Sequence, residues 1–136
     1  MGRPHSCSMS PDRKADMRTL ELDRLPLTQR TAVVAKAFQA LADPIRIRII
    51  ELLLEHGEQT VSQLVEELPV SQPRVSTHLG CLTDCGFTAV RREGRAAYYR
   101  TSSPWIAGLI SLIRDHADEH CANLLVCAGC TPKDGR

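Results

Sequence analysis

The sequence predicts a mainly α-helical fold with one small β-hairpin: a winged helix-turn-helix that forms a homodimer through its terminal helices. Three observations carry this. Two short amphipathic segments, 61–68 and 72–84, flank a Pro69-Val70 turn, the pattern of two helices joined by a tight turn. Two runs, 87–92 and 96–101, bracket Glu93-Gly94-Arg95 and read as a hairpin. Helical periodicity continues on both sides of this unit, with apolar stripes left over once a small core is filled.

Each element has a local cause. Residues 1–25 are polar, carry Pro4 and Pro11 and show no steady period, so they are expected to form a flexible N-terminal arm. From Thr28 to Leu41 the residues Val33, Val34, Ala37, Phe38 and Leu41 recur at helical spacing. Asp43-Pro44 is a helix start, with Asp as N-cap and Pro at the first position, where a missing N–H costs nothing. The segment Ile45 to Leu54 is apolar almost all round and marks the most buried helix, which Gly57 ends. Thr60 and Ser71 cap the two helices of the helix-turn-helix, and Gly86 stops the second. Pro104 opens a last helix in which Trp105, Leu109, Leu112, Ile113 and His116 share a stripe. Five helices result, with the hairpin between the fourth and fifth. Residues 26–118 then make one winged helix-turn-helix domain for DNA binding and dimerisation, and 119–136 a cysteine-containing C-terminal tail.

Composition narrows the class. The chain has 136 residues, 43% of them hydrophobic, and five aromatics, enough for one small aliphatic core. Charge interrupts every apolar run, so no segment is expected to span a bilayer, and the first thirty residues lack the apolar stretch of a secretory signal. A cytoplasmic location is expected, in which six cysteines point to metal or redox chemistry rather than to a disulfide scaffold. No cofactor fingerprint, acid–base pair or Cys-x-x-Cys at a βαβ start is present, so an enzyme is not expected, nor a small organic substrate. The net charge of +1 does not announce a nucleic-acid partner. That case rests on local charge.

With Leu79 as the zero of a helical wheel over 72–84, Val75 and Leu82 fall within about 60° and form the core face. Arg74, Thr77 and His78 fall opposite, and with Ser71, Gln72 and Ser76 they offer short or forked donors. The N-terminal half of such a helix enters the major groove. Arg74 suits a guanine edge or a phosphate, Gln72 an adenine, and Ser71, Ser76 and Thr77 phosphates. On the hairpin Arg91, Arg92, Arg95 and Arg100 place positive charge where a wing would meet the minor groove or backbone. Double-stranded operator DNA is the expected partner.

Three separated motifs, in order, resemble the ArsR/SmtB family of bacterial repressors. They are Leu41-Ala42-Asp43-Pro44-Ile45-Arg46-Ile47-Arg48-Ile49-Ile50, then Ser71-Gln72-Pro73-Arg74-Val75-Ser76-Thr77-His78-Leu79, then Glu93-Gly94-Arg95 with Tyr98-Tyr99. The resemblance covers about residues 30–118. It implies a homodimeric winged-helix repressor that holds its operator in the apo form and releases it when an inducer binds.

Cysteine spacing suggests the inducer. Cys81 and Cys85 stand at i, i+4, which places their Cβ atoms about 5–6 Å apart. The wheel puts them roughly 200° and 240° from Leu79, on the exposed side. Paired accessible thiols favour thiophilic ions: Hg(II), Cd(II) or Pb(II), then Zn(II). The tail offers further ligands in Cys121 and in the Cys127-Ala128-Gly129-Cys130 pair, whose spacing suits a metal or a redox couple. The pairing also resembles the cadmium/lead-sensing branch of the family, with two cysteines on this helix and one from the tail, and actinobacterial mercury-responsive repressors. That likeness implies Cys121 or Cys127 as third thiolate, with Cys130 joining the set or meeting the ion first. The family's arsenic-type Cys-x-Cys is missing from 61–68, and Asp115, His116, Glu119 and His120 are too crowded for its zinc-type site. Cys7 is expected to be a bystander, and His5 and His56 surface residues. The alternative function is a repressor of the same fold switched by thiol oxidation.

Overall fold

The computed structural model describes residues 21–130. The expected arm, with His5 and Cys7, lies almost wholly outside that range. The described chain falls into two compact units that divide between Ser103 and Pro104.

In the first unit a single 3-10 turn, Leu22–Arg24, precedes helix α1 (Leu27–Leu41), α2 (Pro44–His56), α3 (Val61–Glu66) and α4 (Gln72–Asp84). Strands β1 (Thr88–Glu93) and β2 (Ala96–Thr101) follow as an antiparallel pair, with Val90 opposite Tyr99. The second unit holds α5 (Trp105–Glu119), α6 (Cys121–Val126) and a 3-10 turn, Ala128–Cys130. Every expected helix is present, and the architecture is that of a winged helix-turn-helix. One helix was not expected: α6, within the stretch read as a cysteine-containing C-terminal tail. Its six residues carry Leu124, Leu125 and Val126, all exposed, so no buried stripe marked it.

The caps explain the register. The Asp43 carboxylate accepts from the backbone N–H groups of Ile45 and Arg46, at 2.8 and 3.2 Å, and Pro44 occupies the first turn. At the other end of α2, Gly57 takes φ +76°, a conformation that a residue with a Cβ adopts at a cost. Thr60 and Gln63 form a capping box on α3, satisfying two N–H groups reciprocally. This helix ends at Glu66, two residues earlier than its apolar period suggests. Leu68 remains 8% exposed, so the turn continues the core without continuing the helix.

The core is aliphatic, as composition requires. Ile49, Ile50 and Leu52 of α2, Leu64 of α3, and Val75, Leu79 and Leu82 of α4 are each at most 1% exposed. Each such side chain contributes roughly 1.5–3 kcal/mol of transfer free energy. Helix α4 is the hub, packed on α1, α2, α3 and β1. The exposed apolar side chains gather at the two ends of the chain. Leu27, Val33, Val34 and Phe38 lie on α1, and Trp105, Leu112 and Ile113 on α5, while Ile106 and Ile110 of α5 are buried.

The hairpin is pinned at two places. Gln59 exchanges both backbone hydrogen bonds with Tyr99, at 2.9 and 2.8 Å, so the entry to α3 pairs with β2. At its base the Phe87 N–H donates to Leu82 O, the Ser102 N–H to Phe87 O, and the Ser102 hydroxyl to Gly86 O. The hydroxyls of Thr83 and Thr88 meet at 2.8 Å. These bonds tie the end of α4 to the wing.

Candidate nucleic-acid interface and thiol sites

The buried stripe of α4 dictates what its other side presents. Ser71, Gln72, Arg74, Ser76 and Thr77 are all exposed, as the wheel predicts. Ser71 occupies the N-cap position with φ −72° and ψ 161°, yet its hydroxyl makes no cap bond and so remains available to a phosphate. Thr77 Oγ1 donates to Pro73 O at 3.0 Å.

His78 departs from the expectation. The wheel set it beside Arg74 on the exposed face, but its side chain is only 11% exposed. Nδ1 accepts from Arg46 Nε at 3.2 Å, and Nε2 stands 4.0 Å from Asp43 Oδ1. Burial holds its pKa below the ordinary histidine value; Asp43 opposes this, and Arg46 and Arg74 add to it. The reason is that α4 is covered on a second side, by the start of α2, which a wheel built on one core face does not show.

The wing's arginines are unequal. Arg91 grips Glu58 through Nε and Nη2, the shortest contact being 2.9 Å, and reaches Glu93 at 3.3 Å. Its guanidinium lies 4.6 Å from the centre of the Tyr98 ring. The hydrogen bond from Arg91 lowers the Glu58 pKa and raises that of Arg91 itself. Arg92 follows Arg91 on β1 and therefore points to the other face. Arg92, Arg95 and Arg100 are exposed. Gly94, at φ +61°, supplies the left-handed residue that a two-residue hairpin loop needs. The wing charge presented to a partner is carried by Arg92 and Arg95 more than by Arg91.

The two recognition-helix cysteines also part company. Cys85 is exposed and caps the C-terminus of α4, its N–H donating to Cys81 O. Cys81 was expected beside it on the exposed side; instead it is 8% exposed and held in a disulfide. Its sulfur accepts from Arg46 Nη1 at 3.0 Å, and the same Nη1 donates to Ala40 O at 3.1 Å. The cover on this side of α4 is again responsible. In the second unit Cys121 and Cys130 are exposed, and the Cys127 and Cys130 sulfurs share a hydrogen bond at 3.4 Å. That bond, then the N–H groups of Cys130 and Gly129, lowers the Cys127 pKa; the same contact raises that of Cys130. The rings of His116 and His120 lie tilted against each other, with centres 4.6 Å apart. Among the described residues no three His, Cys, Asp or Glu side chains already stand as a metal-binding group.

Arg46 went unnoticed as a site residue. It lies three residues after an N-cap and belongs to no apolar or cysteine pattern, so only its spatial neighbours reveal it.

Residues 43–88 match the family described as bacterial regulatory protein, arsR family. A probable mercury resistance operon repressor from Streptomyces lividans is 43% identical over 93 residues, 68% of this chain and 74% of that protein. The chain belongs to the ArsR family. An arsenical resistance operon repressor of Escherichia coli is 40% identical over 80 residues, covering 59% of this chain and 68% of the relative. Among solved structures, the homodimeric winged helix-turn-helix DNA-binding domain of a possible ArsR-family regulator from Mycobacterium bovis superposes with a TM-score of 0.60. It shares 30% identity and covers 83% of this chain and 92% of its own. This ArsR-family chain is therefore a DNA-binding transcriptional repressor and not an enzyme. No described helix is long and apolar enough to cross a membrane.

Proposed function

We propose that this ArsR-family repressor is a cytoplasmic homodimer that releases its operator on binding a thiophilic heavy metal, Hg(II), Cd(II) or Pb(II), and so derepresses metal-resistance genes. Helix α4 enters the major groove through Ser71, Gln72, Arg74, Ser76 and Thr77. His78 supports that helix from behind, and Arg92 and Arg95, with Arg91 anchored beside them, meet the flanking backbone. The exposed apolar side chains of α1 and α5 supply the dimer surface, as such patches commonly do.

One observation carries the metal reading: two cysteines stand on the helix that reads DNA, and one is wired into the helix packing. Once the Cys81 disulfide is reduced, Cys81 and Cys85 supply two sulfurs, and Cys121, Cys127 or Cys130 the remainder, a soft donor set that suits thiophilic ions. An ion that takes the Cys81 sulfur competes with Arg46, whose guanidinium also holds His78 and the end of α1. Binding at the sulfur thus acts on the seating of α4. By linkage, a metal that weakens DNA binding is itself bound less tightly by the DNA complex. The mercury-resistance relative supports the same reading.

Fluorescence anisotropy of the fully reduced protein on its own upstream DNA tests this, with Hg(II), Cd(II), Pb(II), Zn(II) and As(III) titrated separately. Release at near-stoichiometric Hg(II), Cd(II) or Pb(II) is expected, and Cys85→Ser should keep operator binding while losing release. Unchanged binding with every ion overturns the metal reading. A second reading, release by thiol oxidation, is favoured by the disulfide at Cys81. Release by peroxide in a chelator-treated sample would select it.

A further inference from the structure

The tail carries a reactive group of its own. Cys127 closes α6, and the 3-10 turn Ala128–Cys130 folds straight back, with the Cys130 N–H donating to Cys127 O at 3.3 Å. This turn brings the two sulfurs to 3.4 Å. A disulfide needs about 2.05 Å between sulfurs, so the two sulfurs stand little more than an ångström beyond bonding distance. Cys130 is exposed and Cys127 half-buried, so a small oxidant can reach the pair. An accessible thiol within reach of a second thiol able to resolve it is the arrangement that peroxide-reactive cysteine pairs share.

We propose that Cys127 and Cys130 form a dithiol oxidation site for hydroperoxides, one sulfur attacking and the other resolving. The first sulfur attacks one oxygen of the hydroperoxide. The O–O bond breaks, the alcohol (or water, from hydrogen peroxide) departs, and that cysteine carries a sulfenic acid. The second sulfur then attacks the first; the S–S bond forms, the S–O bond breaks, and hydroxide leaves with the second thiol's proton as water. Two thiols lose two electrons and the hydroperoxide gains them. The site needs neither DNA nor a bound metal, so its failure leaves the metal reading standing, and the converse holds.

The test uses the full-length protein, reduced, freed of reductant and kept in chelator. After equimolar hydrogen peroxide, free thiols are alkylated and the tryptic peptide spanning 115–133 is read by mass spectrometry. The expected peptide is two hydrogens lighter, with its one alkyl group on Cys121, and dithiothreitol restores all three alkylation sites. Cys127→Ser and Cys130→Ser should each abolish the loss of two hydrogens, and dimedone should capture a sulfenic acid on the cysteine that remains. A peptide alkylated at all three cysteines after peroxide overturns the proposal. So does a disulfide that joins either cysteine to Cys121 or to a second chain.

Discussion

Arg46 Nε donates to His78 Nδ1 across 3.2 Å, joining the first turn of α2 to the middle of the recognition helix. Through Nη1 the same guanidinium reaches the Ala40 carbonyl and the Cys81 sulfur. One side chain thus links α1, α2 and α4. Replacing it leaves a carbonyl, a ring nitrogen and a sulfur without their donor. Arg46→Met should cost about 1–3 kcal/mol, read as a lower urea midpoint, and Arg46→Lys should recover only part because an ammonium lacks the planar fork. Wild-type stability in Arg46→Met would show that the network is incidental.

His78 makes stability depend on pH. Its folded pKa lies below the ordinary value of 6.5 because burial disfavours the cation. The unfolded chain therefore binds the proton more readily. Stability is fully present above about pH 6.5 and declines as the pH falls from there toward the lower folded value. Urea titrations across that window should show a slope that His78→Gln flattens. Asp43→Asn, which keeps an N-cap oxygen but removes the negative charge opposing the shift, should leave the onset near pH 6.5 and make the decline deeper and extend to lower pH.

Arginines on the DNA side should separate by role. Arg74→Ala is expected to weaken operator binding by about 1–3 kcal/mol and relax base preference if it reads an edge. Arg95→Ala should lower the salt dependence of binding by about one counterion for all sequences. Arg91→Ala should leave that slope almost unchanged, because Glu58 and Glu93 already face its charge. Anisotropy at several salt concentrations measures all three, and a full counterion lost with Arg91 would refute the distinction.

The core prediction is simpler. Leu79 is fully buried where α4 meets the other helices, so Leu79→Ala should cost about 2–5 kcal/mol. Cys85→Ser, at an exposed helix end, should stay within about 0.5 kcal/mol of wild type. Chemical denaturation of both variants checks the contrast.

Capping chemistry and apolar periodicity made most of the fold legible. Asp43-Pro44, Thr60, Gly86 and Gly94 each mark a boundary by what the backbone demands there, and the structure places elements within a residue or two of them. The exposed half of α4 was equally readable, because Val75, Leu79 and Leu82 fix one core face. Cys81 and His78 were not. Their surroundings come from α2, more than thirty residues earlier in the chain, and a wheel drawn on one helix has no term for a second covering element. Helix α6 was hidden for the opposite reason: its apolar residues are exposed, so they carry no inward period. The inequality of Arg91 and Arg95 depends on Glu58, which sits in the connection between α2 and α3 and leaves no local trace.

The double pairing of Tyr99 has a bearing on how the protein behaves in a crowded solution. Val90 lies opposite it on one side, and Gln59 bonds it on the other, so the inner edge of the wing is partly closed at its middle. The edge left for a stray strand belongs to β1, which carries Arg91, Arg92 and Glu93 in succession. Charge along an open edge discourages a neighbouring chain from extending the sheet. The same short strand that offers arginine to a nucleic acid also guards the molecule against sticking to itself.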